Sequence, residues 1–311
     1  VISHETSHMW FGDLVTMRWF NDVWMKEVFA NFMAAKIVNP SFPTVNHDLR
    51  FLLSNYPSAY EVDRTSGANP IRQQLDNLNE AGSMYGNIIY NKAPVVMRHL
   101  EALLGEDNFR DGLREYLKAH AFSNATWTDL INVLDARTPA DLQQWSRVWV
   151  EQPGRPTVET ILEVKNGTIQ RLAFRQRDSW NRNLVWPQQL QVTVGFAGRV
   201  EQFKAALNAA SVTVDTGSET PLYVIPNGGG LGYGLFRLDA ATQRYLLGHM
   251  EEIADPLTRG SAWVNLWENL VDGSVKPQEF LDLAARVLPR LRSVPSARRA
   301  TAARAFSAGG K

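Results

Sequence analysis

The sequence contains no cysteine and no surplus of either charge. With no Cys among its 311 residues, disulfide bonds, a thiolate zinc site and a cysteine nucleophile are all excluded. Any metal ion must be held by His, Asp or Glu, and only 6 His are present. The 32 Lys and Arg cancel the 32 Asp and Glu, so no net field draws the chain to nucleic acid or to an anionic membrane. No apolar run approaches the ~20 residues of a membrane span. The opening Val1-Ile2-Ser3-His4 has no initiator Met, basic run or signal-peptide core, and it reads as the middle of a helix. The chain is therefore expected to be a piece of a longer protein. Its compartment is not encoded here.

What remains is a globular composition, 44% apolar and 21% charged, long enough for two domains and part of a third. Residues 1 to 152 read as helical. After Lys92, Val96, Leu100, Leu103 and Leu104 share a helix face that stops at Gly105. A second helix near Asp107 carries Phe109, Leu113 and Leu117. A third is expected to start with Thr138 as N-cap and Pro139 at its first position, burying Leu142, Trp145 and Trp149.

Pro153, Gly154 and Pro156 form a breaker cluster, after which the period changes. Thr157 to Val164, Ile169 to Gln176, Leu190 to Phe196 and Leu222 to Pro226 read as strands, with turns at Asn166-Gly167 and Gly217-Ser218. A small antiparallel β-domain over 157–237 is expected. Helical patterning returns near Ala240 and again around Trp263, Leu266, Trp267 and Leu270. From Arg286 onward there are seven Lys or Arg and no acid, expected to be a solvated tail rather than a nucleic-acid patch. The glycines at Gly228 to Gly234 read as a plain loop, because no strand-to-helix phosphate turn follows them.

The chemistry concentrates near the start, in His4-Glu5-Thr6-Ser7-His8 and, after eighteen intervening residues, Glu27. On an α-helix His4 and His8 stand one turn apart on the same face, so two imidazoles can reach one metal ion. Glu5 lies about 100° around the helix, placed to hold a metal-bound water rather than the metal. A second helix over residues 23–37, with Asp22 as N-cap, can supply Glu27 as third ligand. Two neutral imidazoles and a carboxylate leave tetrahedral Zn²⁺ one open position, the catalytic pattern. The other reading of the motif is a surface helix with two solvated histidines. His47, His99, His120 and His249 lack the spacing and read as surface or hydrogen-bonded core residues.

Around this motif, Trp10-Phe11-Gly12-Asp13-Leu14-Val15-Thr16-Met17 and Trp19-Phe20-Asn21-Asp22-Val23-Trp24 resemble the signature of the aminopeptidase N-like zinc metallopeptidases, in the gluzincin group. Asn69-Pro70-Ile71 and Ile88-Ile89-Tyr90-Asn91-Lys92 resemble the segment with that family's catalytic tyrosine. The likeness continues through Arg182-Asn183-Leu184-Val185-Trp186-Pro187-Gln188 and Tyr233-Gly234-Leu235-Phe236-Arg237-Leu238-Asp239.

The resemblance implies a multidomain α+β chain. It comprises the helical half of a thermolysin-like catalytic domain over 1–152, a small antiparallel β-sandwich over 157–237, and the beginning of a C-terminal helical domain over 239–311. It implies one Zn²⁺ on His4, His8 and Glu27, with Glu5 as general base and Tyr90 as transition-state stabiliser; Tyr85 precedes Tyr90 by five residues. Asn31, one turn after Glu27, could orient a ligand imidazole. The implied partners are peptide substrates and the N-terminal part of the same protein, where the family's Gly-Ala-Met-Glu-Asn segment binds the substrate amine.

Two positions depart from the family pattern: Val28 and Ala93 stand where glycine is usual. A non-catalytic scaffold that retains the fold, or a zinc endopeptidase, stay as alternatives to a zinc aminopeptidase.

Overall fold

The structure is a computed structural model that describes residues 1–215 and 217–291. It is a mixed α+β chain with ten α-helices and three sheets among the described residues. Two compact units divide it: residues 1–47 with 58–154, and residues 48–57 with 155 onward.

The first unit carries α1 (Ile2–His8), β1 (Val15–Met17) and α2 (Trp24–Val38). The end of α3 (His47–Asp63) follows, then α4 (Ala93–Leu104), α5 (Glu106–Ala119), β2 (Ser123–Ala125), α6 (Trp127–Asp135) and α7 (Leu142–Trp149). Aromatic side chains bind these helices together. Phe11 stacks on Phe29 with ring centres 4.6 Å apart, and Trp24 meets Trp127 at 4.8 Å. Both tryptophans are 1% exposed, so each contributes close to the full burial of an aromatic side chain.

Several local expectations need correction. The first 152 residues are not wholly helical, because β1 and β2 form a short parallel pair. Asp22 is not an N-cap; Val23 holds that position. The Asp22 carboxylate is buried instead, accepting from Arg72 Nε at 2.7 Å and from the Trp127 amide at 3.3 Å. Charge-assisted bonding to Arg outweighs what a helix cap would supply. Nor does Thr138 cap α7. Asp141 does, accepting from Gln144 N at 2.7 Å, while Asp135 accepts from Leu142 N at 2.8 Å. Two carboxylates thus take the first free amides of the helix. Leu103 lies at the edge of its helix face, 36% exposed.

The second unit is built on β3 (Pro156–Lys165), β4 (Thr168–Asp178), β5 (Gln188–Phe196), β6 (Arg199–Leu207), β7 (Ser211–Val214), β8 (Tyr223–Ile225) and β9 (Leu235–Arg237). One sheet has the order β7-β4-β3-β9 and the other β6-β5-β8. Val158, Leu172 and Phe174 from the first pack with Leu190, Val192 and Val194 from the second into one core. The alternation expected for these strands follows from that burial on one face. The domain is not purely antiparallel, since β9 pairs parallel with β3.

At the β3–β4 hairpin Asn166 and Gly167 both adopt positive φ, 53° and 72°, as the two-residue turn requires. The Gly228–Gly234 loop is packed tightly: a Cβ on Gly228 would stand 2.1 Å from Thr193 Oγ1, and one on Gly229 2.2 Å from Gln191 Oε1. The unit continues with α8 (Ala240–His249), α9 (Pro256–Val271) and α10 (Pro277–Leu291). Asp239 caps α8 and Asp255 caps α9. Of the basic tail, residues 286–291 end α10, and the rest lies outside the described residues. Among the described residues no helix is long and apolar enough to cross a membrane.

Candidate metal centre

Two helices build the site. α1 presents His4 and His8 one turn apart, and α2 presents Glu27 within its first turn. The turn after α1 folds back tightly: the amides of Trp10 and Phe11 both donate to Ser7 O, and that of Asp13 donates to His8 O at 3.0 Å. Gly12 sits in this turn at φ +137°, a conformation that L side chains rarely adopt.

Ligand atoms of His4, His8 and Glu27 all lie within 4.8 Å of one another. The two Nε2 atoms are 3.2 Å apart, and Glu27 Oε2 stands 3.6 Å from the first and 4.0 Å from the second. The imidazoles are both 19% exposed and the carboxylate 13%, so the cluster is sheltered but reachable.

The outer nitrogens decide what this cluster is. His8 Nδ1 lies 3.1 Å from the Phe11 carbonyl, which can only accept, so Nδ1 is the donor. His4 Nδ1 lies 3.0 Å from Asn31 Oδ1 and donates in the same way. Both Nε2 atoms are then turned toward one another and toward a carboxylate. A tetrahedral zinc ion with Zn–N bonds of ~2.05 Å separates two nitrogens by ~3.3 Å. The observed separation already matches, so the donor set fits such an ion.

Other expected residues are placed as follows. Glu5 is exposed on α1. Val28 is fully buried in α2, and the ligand atoms converge with it in place. Tyr90 lies in the π-turn Ile88–Lys92 and is 40% exposed, with its ring 6.3 Å from that of Tyr85. Burial, joined by the charge of Glu27 and by Tyr85, pushes the Tyr90 phenol above its ordinary range. It therefore stays protonated, and a donor, through neutral pH. Ala93 is buried at the start of α4. Of the other histidines, His99 packs edge-on against Trp149 at 5.0 Å in the interior, and His249 pairs with Glu252 at 2.9 Å.

Residue patterns did not reveal the Phe11 carbonyl, since backbone acceptors leave no mark in side-chain spacing. They also passed over Lys92, whose one signal is a cation set between Ile88-Ile89 and Ala93-Pro94-Val95-Val96.

Comparison with known proteins points the same way. Residues 1–149 match the model of the Peptidase family M1 domain. A leucyl aminopeptidase of Saccharolobus solfataricus is 36% identical over 174 residues, 56% of this chain and 22% of that protein. Aminopeptidase N of Streptomyces lividans is 28% identical over 302 residues, 91% of this chain and 35% of its own length. A probable aminopeptidase 1 of Sulfurisphaera tokodaii is 31% identical over 223 residues, covering 67% and 28%. The chain thus spans between a fifth and about a third of the length of these relatives. The M1 domain model is thus matched across both helices that carry His4, His8 and Glu27, and residues 1–149 are similar to the M1 peptidase domain.

Proposed function

We propose that the chain is the central part of a zinc metallo-aminopeptidase that removes N-terminal residues from peptides. The observation that carries this is the convergence of His4 Nε2, His8 Nε2 and Glu27 Oε2, with both outer imidazole nitrogens already engaged. The proposed organisation is a thermolysin-like catalytic part over 1–152, a β-sandwich over 157–237 and the start of a helical domain over 239–311.

His4, His8 and Glu27 would hold one Zn²⁺, with Asn31 and the Phe11 carbonyl fixing the imidazole orientations. Bound zinc lowers the pKa of a water and polarises the scissile carbonyl. Glu5 takes the proton of the attacking water as general base and passes it to the leaving amine. Tyr90, protonated at neutral pH, donates a hydrogen bond to the developing oxyanion, a contribution of up to a few kcal/mol when the donor is preorganised. The N-terminal part of the same protein is the proposed partner that anchors the substrate amine.

The test pairs metal analysis with two substrates, on the intact protein. About one zinc per chain, hydrolysis of free peptides and no hydrolysis of N-acetylated ones are expected. Less than about 0.1 equivalent after zinc supplementation would instead mark a scaffold that keeps the fold. Equal turnover of both substrates would mark an endopeptidase. Glu5→Gln should keep the zinc and abolish turnover; a Glu5→Gln variant that still turns over removes Glu5 from the role of base.

A further inference from the structure

The lysine that closes the Tyr90 turn is fully buried. Lys92 Nζ lies 2.8 Å from Asp63 Oδ2 and donates to the Gly154 carbonyl at 2.7 Å, and neither member of the ion pair has any exposed side-chain surface. The pair ties together the end of α3, the turn itself and the segment after α7. Ion pairs this deep contribute little net stability compared with an apolar replacement, and their best-attested use is to specify one register over another.

The turn departs from α-helical register at this point. In Ile88–Lys92 the Ala93 amide donates to Ile88 O, five residues back, where an α-helix would use Ile89 O. Downstream, α4 is held by buried Ala93, Val95, Val96 and Leu100; upstream, Ile88 and Ile89 are buried as well. Only Tyr90 and Asn91 of the turn face outward to any extent. The wider π-turn swings residues 88–91 around the axis relative to Lys92, so the aim of Tyr90 depends on which register is held.

We propose that the buried Lys92–Asp63 pair holds this turn in its π register and thereby sets the aim of Tyr90. Lys92 is a positioning residue: it touches no reacting atom and acts through the backbone it pins. The role assigned to Tyr90 rests on the aminopeptidase reading above; the register itself does not.

The test replaces both charges with neutral side chains of similar size, Lys92→Met with Asp63→Asn, in the intact zinc-loaded protein. 3-Fluorotyrosine at position 90 reports the turn by fluorine NMR. The expected result is unchanged zinc content and cooperative unfolding, a displaced or split fluorine resonance, and kcat lower by about tenfold or more with KM within about twofold. An unchanged resonance overturns the proposal whatever the rate. A displaced resonance with unchanged kcat overturns the link to catalysis. A parent protein that holds zinc but hydrolyses nothing overturns the aminopeptidase reading alone, since the resonance still reads the register. Should the double variant not fold, Asp63→Asn alone leaves Lys92 Nζ facing a neutral amide and should displace the same resonance.

Discussion

His4 Nδ1 and Asn31 Oδ1 stand 3.0 Å apart, joining α1 to the helix that also carries Glu27. One helix therefore carries one proposed ligand and orients another. Asn31→Ala should raise the zinc dissociation constant by about 10- to 100-fold. Competition against a chromophoric chelator measures this; an unchanged constant would show that Asn31 orients nothing.

Gly12 stands behind the second imidazole. At its φ of +137° a Cβ would lie 3.3 Å from His8 O and 3.7 Å from His8 Nδ1. Gly12→Ala should cost about 1–3 kcal/mol in backbone strain. It should also disturb the His8 to Phe11 hydrogen bond and so weaken zinc binding. Calorimetry of the zinc-free and zinc-loaded forms separates the two effects, the loaded form losing more.

Tyr90→Phe removes the proposed oxyanion donor while keeping the ring that faces Tyr85. In the intact protein kcat should fall by about 10²- to 10³-fold with little change in KM. Steady-state kinetics on a free peptide is the check. A comparable loss carried by KM instead would make Tyr90 a binding residue.

Asp178 gives a pH-dependent prediction in the β-sandwich. Burial pulls its carboxyl upward, but hydrogen bonds from the Arg182 side chain and amide and from Trp186 outweigh this and leave it below the usual range. Those bonds measure 2.9 and 2.7 Å from Arg182 and 3.1 Å from Trp186 Nε1. A depressed carboxyl stabilises fully above the unfolded value of about 3.9, and that stability is lost as pH falls through the folded value. Asp178→Asn should therefore destabilise by roughly 3–5 kcal/mol at neutral pH, with the gap to the parent narrowing below about pH 4. Urea titrations at the two pH values test the sign.

How far the site was legible depended on sequence distance. His4 and His8 announce a shared face because their spacing is one helical turn, and Glu27 follows on the adjoining helix. Asp22 misled because a cap is judged from its neighbours, whereas its partner Arg72 is fifty residues away. The strands of the sandwich core showed their alternation; β6 did not, since its first residues face water and carry Arg199, Glu201 and Gln202. The third sheet, β1 with β2, joins segments of three residues each, too short for any period to register. Lys92 looked like the end of a motif, and its meaning lay in Asp63, which no local pattern links to it.

The β3–β4 hairpin carries a practical consequence. Its tip, Asn166-Gly167, needs left-handed backbone, yet a side chain at Gly167 would meet nothing within 4 Å. Such a tip is a natural graft point: a peptide epitope or a fluorophore-bearing loop spliced between these two residues should leave the strand pairing below it intact. That gives a handle for immobilisation or distance spectroscopy that belongs to the β-sandwich unit and not to the compact unit carrying the two histidines.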